Sequence, residues 1–335
     1  MSAVILYVFA TLFVGGLGLI AQQARKSRGA EVTLLVVLLA LSLLVALLGA
    51  ATSIGLFFVA ANRAGGVPEQ LLIGSAGVAA LLVGVIGLGL CVPPLRKVFS
   101  RGAVDSWWAD PPVFLALWLF TVVLANNVVS LLVFTQVPDV SALFPSGRIS
   151  LGAILTSQLP FLVVALLGVG IFTRRSIGRT LARLGYGPIT PKQLGVVALF
   201  IPVAIALSFG ADSLFSALQP NLYETVGTLS NDLFNPQGMS PVSVILFALL
   251  IGVGAGLGEE TLFRGAVQPV LGITLTSILF ASMHVQYGPS LLIGYIFVLA
   301  VGLGLLRRYI NTTASFLAHA GYNSLMVILA YFLGA

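Results

Sequence analysis

The sequence predicts an all-α, polytopic transmembrane helix bundle with about ten spanning helices. Three observations carry this. Of 335 residues, 59% are hydrophobic and only 8% charged, too little polar surface for a soluble chain. Mean hydropathy is +1.10. Ten apolar runs have the length needed to cross a hydrocarbon core about 30 Å thick.

The runs lie near Ala3–Ala21, Val32–Ala60, Leu71–Pro93, Val113–Phe134, Leu151–Phe172, Leu194–Leu218, Val242–Leu257, Leu271–Val285, Ser290–Leu306 and Thr312–Phe332. The first has no basic residue before it and Arg25, Lys26 and Arg28 after it, the charge order of a first span rather than a cleaved leader. Basic clusters also follow the third run (Arg96, Lys97, Arg101), the fifth (Arg174, Arg175, Arg179, Arg183, Lys192) and the ninth (Arg307, Arg308). The even-to-odd connections hold only Arg63 and Arg148, among Glu69, Asp139, Glu224 and Asp232. Positive residues mark cytoplasmic loops, so odd-to-even connections are expected inside and both termini outside. The formal net charge of +6 is read in the same way and gives no reason to expect a nucleic-acid partner.

Between the spans, residues 173–193 read either as a short basic helix on the inner membrane surface or as a solvated loop. Trp107 and Trp108 read as an interfacial aromatic belt, and Asn126 and Asn127 as hydrogen-bonders between helices, with substrate contact as the alternative. Pro269 and Gly272 mark a turn between the seventh and eighth spans. Gly252, Gly254, Gly256 and Gly258 fit close helix packing; no strand precedes them, so they are not a dinucleotide loop. Cys91 is alone, which excludes an intrachain disulfide and any CxxC metal site. The Asn311 sequon falls on the expected cytoplasmic side and is discounted. No internal repeat is evident. The chain divides into N-terminal helices over residues 1–190, of unread role, and a core over 191–335 that holds the chemistry.

Both histidines of the chain, His284 and His319, fall within the last third, inside expected spans, as does the adjacent pair Glu259–Glu260. Ionisable groups at membrane depth are expensive and mark function by default. Three segments collect them: "EETLFR" (Glu259, Glu260, Arg264), "FASMH" (Phe280, His284) and "HAGYN" (His319, Asn323). Glu260 and Arg264 are four apart and can pair. Glu259 is turned by about 100° from Glu260 and can point elsewhere. His319 and Asn323 share a face, and Phe280 can wall a site one turn before His284. Counted from about Leu271, Glu259 and His284 both lie roughly 18–20 Å along their helices, and His319 lies roughly 16 Å past Arg308. The three segments thus reach one level near mid-bilayer.

The chemistry that fits is water activation. Low dielectric raises a carboxylate's pKa toward neutrality, and a neighbouring imidazole tunes it further, giving a general base. A second His with an Asn can donate to a developing oxyanion. The alternative use of Glu259, His284 and His319 is to hold a zinc ion that acidifies the water.

Together the segments resemble the CPBP intramembrane proteases, the CAAX-protease and bacteriocin-processing group, whose pattern is EExxxR, then FxxxH, then HxxxN or HxxxD. Glu259-Glu260-xxx-Arg264, Phe280-xxx-His284 and His319-xxx-Asn323 meet it without mismatch. The resemblance implies hydrolysis of a peptide bond within the membrane. It implies Glu259 as general base, His284 as a water-binding partner, and His319 and Asn323 as oxyanion stabilisers, with Glu260, Arg264 and Phe280 in support. It leaves open whether the reaction uses zinc or the glutamate alone. It further implies a peptide or membrane-protein substrate within the lipid bilayer, leader-bearing or prenylated. The Ala/Leu/Gly/Val-rich, short-loop style points to a bacterial plasma membrane. HExxH, GxSG and GxGD are absent, and "FGAD" at Phe209–Asp212 is not the last of these. Two other classes compete: a proton-coupled transporter, which calls for a second polar cluster or a repeat, and a catalytically idle scaffold of the same fold.

Overall fold

The computed structural model describes residues 3–62, 67–92, 110–135 and 147–333. Twelve helices are labelled here: α1 Ala3–Ala24, α2 Arg28–Asn62, α3 Val67–Cys91, α4 Pro111–Phe134, α5 Leu151–Gly168, α6 Ile177–Leu184, α7 Pro191–Leu218, α8 Pro220–Phe234, α9 Pro241–Glu259, α10 Gln268–Ser282, α11 Leu291–Tyr309 and α12 Thr312–Leu333. A π-helical segment, Glu260–Val267, joins α9 to α10. The chain is all-α, and each of the ten apolar runs has become a helix. Among the described residues, eight helical stretches are long and apolar enough to span a membrane, one of them the 42-residue Pro241–Ser282 that takes in both the seventh and the eighth run. The chain is an integral multi-pass membrane protein. Trp107, Trp108, Arg63, Arg96, Lys97, Arg101 and Asp139 lie outside the described residues.

Contacts divide the chain into two compact units, Leu17–Pro138 and Met1–Gly16 with Asp139–Ala335. In the first, α2 and α3 meet through small residues: Gly84 lies against Ala46, where any side chain would collide with backbone. Trp118 Nε1 donates to Ser42 Oγ at 2.8 Å, which satisfies both buried polar groups.

In the second unit the glycines of α9 have two uses. Gly252 and Gly256 face Ala320 and Ser324 of α12, and Gly254 and Gly258 face Ile154 and Gln158 of α5. Alternation of small residues lets both neighbours approach the backbone of one helix.

Three points are revised, resolved or added. The run ending at Phe172 stops as helix at Gly168, before a tight turn with Gly170 at φ 84° and Phe172 at φ 61°. Of the two readings of the basic segment 173–193, the short helix is the one present: α6 leaves Ile177, Arg179 and Leu181 exposed and fully buries Thr180 and Leu184, the latter against Gly265 of the π segment. The third is α8, which lies outside all ten runs. It is amphipathic, burying Val226, Leu229 and Leu233 at helical spacing while Glu224 and Asp232 stay exposed.

The expected turn at Gly272 is present. Helix runs unbroken from Pro241 to Leu271, Gly272 adopts φ 76° and ψ 176°, and a new helix starts at Ile273. That conformation is open only to glycine. No neighbouring atom would obstruct a Cβ there, so strain is confined to the backbone. Gly272→Ala is expected to lose about 1–3 kcal/mol, read as a lower unfolding midpoint in mixed micelles.

Candidate active site

The site is built from the π segment, the end of α10 and the middle of α12, with α5 and the α6 region behind. A π turn closes hydrogen bonds five residues apart and is widened relative to an α turn; such segments are rare and concentrate at functional sites. Its start is pinned from outside. Thr261 Oγ1 donates to the Leu257 carbonyl at 2.6 Å, so the Tyr186 hydroxyl, 2.6 Å away, must donate to Thr261. Burial raises the Tyr186 pKa above its usual value, which keeps it a donor. Arg183 donates to the Gly265 carbonyl at 3.2 Å. The stretch after α6 is latched to the α12 start: Thr312 Oγ1 donates to Leu184 O at 2.6 Å and Thr313 Oγ1 to Gly187 O at 2.9 Å. One loop therefore fixes both the helix of the glutamates and the helix of His319.

Glu260 and Arg264 are both completely buried, with Arg264 Nε 3.3 Å from Glu260 Oε2, as their spacing predicts. Glu260 holds more than Arg264. It accepts from Ser315 Oγ, and its Oε1 lies 2.9 Å from His319 Nδ1. A carboxylate held by an arginine is an acceptor, so His319 Nδ1 carries the proton and Nε2 is turned elsewhere. It faces the other glutamate: His319 Nε2 is 3.9 Å from Glu259 Oε2. Glu259 is the less buried carboxylate, 14% exposed, and its further partner is Gln158 Nε2 of α5 at 3.4 Å. The two carboxylates are thus distinguished as expected, one locked and one loosely held, with His319 between them.

Phe280 is the hub of the walls. Its ring packs edge-on against Phe263 at 5.1 Å and His319 at 5.9 Å, lies 4.9 Å from the His284 ring, and carries the Arg264 guanidinium 4.8 Å above it. His284 departs from expectation. It is not inside a spanning helix: α10 stops at Ser282, and His284 follows at φ −87°, ψ 51°. The new helix that starts at Ile273 is only about 15 Å long, so it ends within the bilayer depth. His284 Nδ1 is 2.9 Å from the Phe280 carbonyl, which only accepts, so Nδ1–H points back and Nε2 is left available. The His284 ring also stacks on Tyr287 at 6.2 Å. The Phe280 ring, bordering both imidazoles, links His284 to the pair of His319 and Glu259. Asn323 lies one turn beyond His319 on α12, partly exposed.

The zinc alternative needs three ligands converging. Among the described residues, no group of three His, Cys, Asp or Glu side chains is placed to hold a metal ion. The arrangement does not fit a three-ligand centre, and no step below is routed through one.

With this geometry in place, comparison with known families is decisive. Residues 241–325 match the family Type II CAAX prenyl endopeptidase Rce1-like. This segment is an Rce1-like domain. The Rce1-like domain contains all three motifs, from Glu259 to Asn323, and agrees with the CPBP resemblance. It supports a membrane protease of CAAX type. No curated protein and no solved structure matches the chain.

Two residues of the site escape the motifs. Ser315 stands four before His319, so the same-face rule that paired His319 with Asn323 also points to it. Gln158 lies 101 positions from Glu259, outside the Rce1-like domain, and nothing in its own helix marks it.

Proposed function

We propose that the chain is an intramembrane endopeptidase in which Glu259 and His319 hold and activate a water that attacks a substrate peptide bond. The observation that carries this is the 3.9 Å separation of His319 Nε2 and Glu259 Oε2. It is too long for a direct hydrogen bond and suits a bridging water. Glu259 takes one proton as the water oxygen bonds the carbonyl carbon. It returns that proton to the amide nitrogen as the C–N bond breaks. The locked Glu260 fixes His319 in one tautomer, so its Nε2 is presented to the water. The Asn323 amide is assigned to the oxyanion as a donor, and His284, whose free Nε2 accepts, is assigned to orienting the water. Of the two roles that resemblance gives the histidines, the position of His319 between two carboxylates favours water binding.

The working core is taken as residues 191–335, with Gln158 and the α6 region packed on it. Its substrate is a membrane-associated peptide or protein, prenylated or leader-bearing, and its place is a bacterial plasma membrane with the odd-to-even loops in the cytoplasm. No metal is assigned. The test is hydrolysis by the purified protein in vesicles, in water enriched in oxygen-18. The expected result is a single heavy oxygen in the new carboxyl terminus, formed equally well after exhaustive chelation. Loss of cleavage on chelation, restored by zinc, would overturn the metal-free reading.

A further inference from the structure

A cleft of about 550 Å³ opens between the first turns of α7 (Pro191–Leu218) and the last turns of α11 (Leu291–Tyr309). Its floor is apolar: Val196 and Phe200 on one side, Gly302, Leu305 and Ile310 on the other. Gly302 gives it depth, because a Cβ there would come within 2.8 Å of the Phe200 ring. One end is polar, formed by Lys192, Gln193 and Tyr309. Arg308 adds a second cation, its guanidinium 5.7 Å from the centre of the Tyr309 ring. Lys192 and Arg308 are exposed, and among the described residues no carboxylate pairs with either. Arg307, between them in sequence, is turned instead onto the Gly185 backbone.

A membrane-facing cleft is filled by lipid in any case; its shape and charge decide which. An apolar floor with Lys192 in its polar end, and Arg308 beside the Tyr309 that lines that end, complements a chain with an anion at one end. We infer that this cleft is a binding site for an anionic glycerophospholipid, with an acyl chain along Phe200 and Gly302 and the phosphate between Lys192 and Arg308. A zwitterionic headgroup carries its own cation and gains less from the pair. Juxtamembrane cations attract anionic headgroups in this manner. The site is independent of the proposed hydrolysis.

The test is native mass spectrometry of the full chain from micelles doped with phosphatidylglycerol or phosphatidylcholine of matched chains. Expected is retention of one phosphatidylglycerol in preference to phosphatidylcholine. Lys192→Ala and Arg308→Ala should each weaken phosphatidylglycerol retention about fivefold, the equivalent of one juxtamembrane charge. Gly302→Leu, which fills the floor, should reduce retention of both lipids. Exposed Arg179 of α6, outside the cleft, serves as control, and Arg179→Ala should change nothing. Equal retention of the two lipids by the parent would overturn the site. So would an unchanged Lys192→Ala/Arg308→Ala double variant, or a loss in Arg179→Ala matching that in Lys192→Ala. Displacement of the lipid by a neutral farnesylated cysteine peptide, with no dependence on Lys192 or Arg308, would assign the cleft to another occupant. Should Gly302→Leu fail to fold, the two surface charge variants still decide.

Discussion

Replacing Glu259 by alanine is expected to lower kcat/KM for a cleaved peptide by at least about a thousandfold, with the fold left in place. The first half follows from its position. General-base catalysis contributes typically about 10²–10⁴ in rate, and Glu259 is the one carboxylate of the site not already committed to a buried arginine. The second half follows from how little holds it. Its contacts are Gln158 at 3.4 Å and the longer approach to His319 at 3.9 Å, and it is partly exposed. Removing it leaves no buried cation without a counter-charge, so the unfolding profile in micelles should match that of the parent. Gln158→Leu, which removes only the amide that steadies the base, should cost tens-fold at most. Cleavage retained in purified Glu259→Ala, against a peptide the parent cuts, would sink the assignment. A parent that cuts no offered membrane peptide, while Glu259→Ala leaves every other property unchanged, would favour the idle scaffold.

How much of this was legible beforehand depended on whether the feature is written in local pattern. The ten apolar runs were readable because burial in hydrocarbon demands them, and each became a helix, although eight helical stretches among the described residues are long and apolar enough to span. Gly272 was readable because its backbone conformation excludes other residues. The convergence of the three polar segments was readable because charge at membrane depth needs a reason. The π segment was not. No residue preference specifies hydrogen bonds five apart, and the widening is supported by Tyr186 on Thr261 and Arg183 on Gly265, contacts made across some eighty positions. For the same reason the packing of the short helix in 173–193 was not readable: its arginines resemble those of any cytoplasmic loop, and only the tertiary structure shows Leu184 against Gly265. His284 was assigned to a helix because its apolar run continues to Val285, yet the chain leaves helical geometry at Met283 and turns the imidazole back onto Phe280 O.

The second large effect is expected at Glu260, and in stability. Glu260→Gln keeps the shape of the side chain and removes its charge, leaving Arg264 fully buried without its nearest counter-ion. Breaking a buried pair from one side costs about 3–5 kcal/mol. Little offsets the loss here: among the described residues the three guanidinium nitrogens of Arg264 have no hydrogen-bond partner, and the guanidinium lies over the face of Phe280. Arg264→Met should be milder, since Glu260 would keep Ser315 and His319 as donors. The double variant should recover part of the Glu260→Gln loss, because two neutral groups in an apolar pocket replace one stranded cation. Turnover should fall too, as the partner of His319 Nδ1 is altered, but by no more in free energy than stability does. Chaotrope unfolding and kcat measured on the same preparations compare the two directly. A Glu260→Gln protein of normal stability and no activity would exchange the roles of the two carboxylates, making Glu260 the base and Glu259 the support.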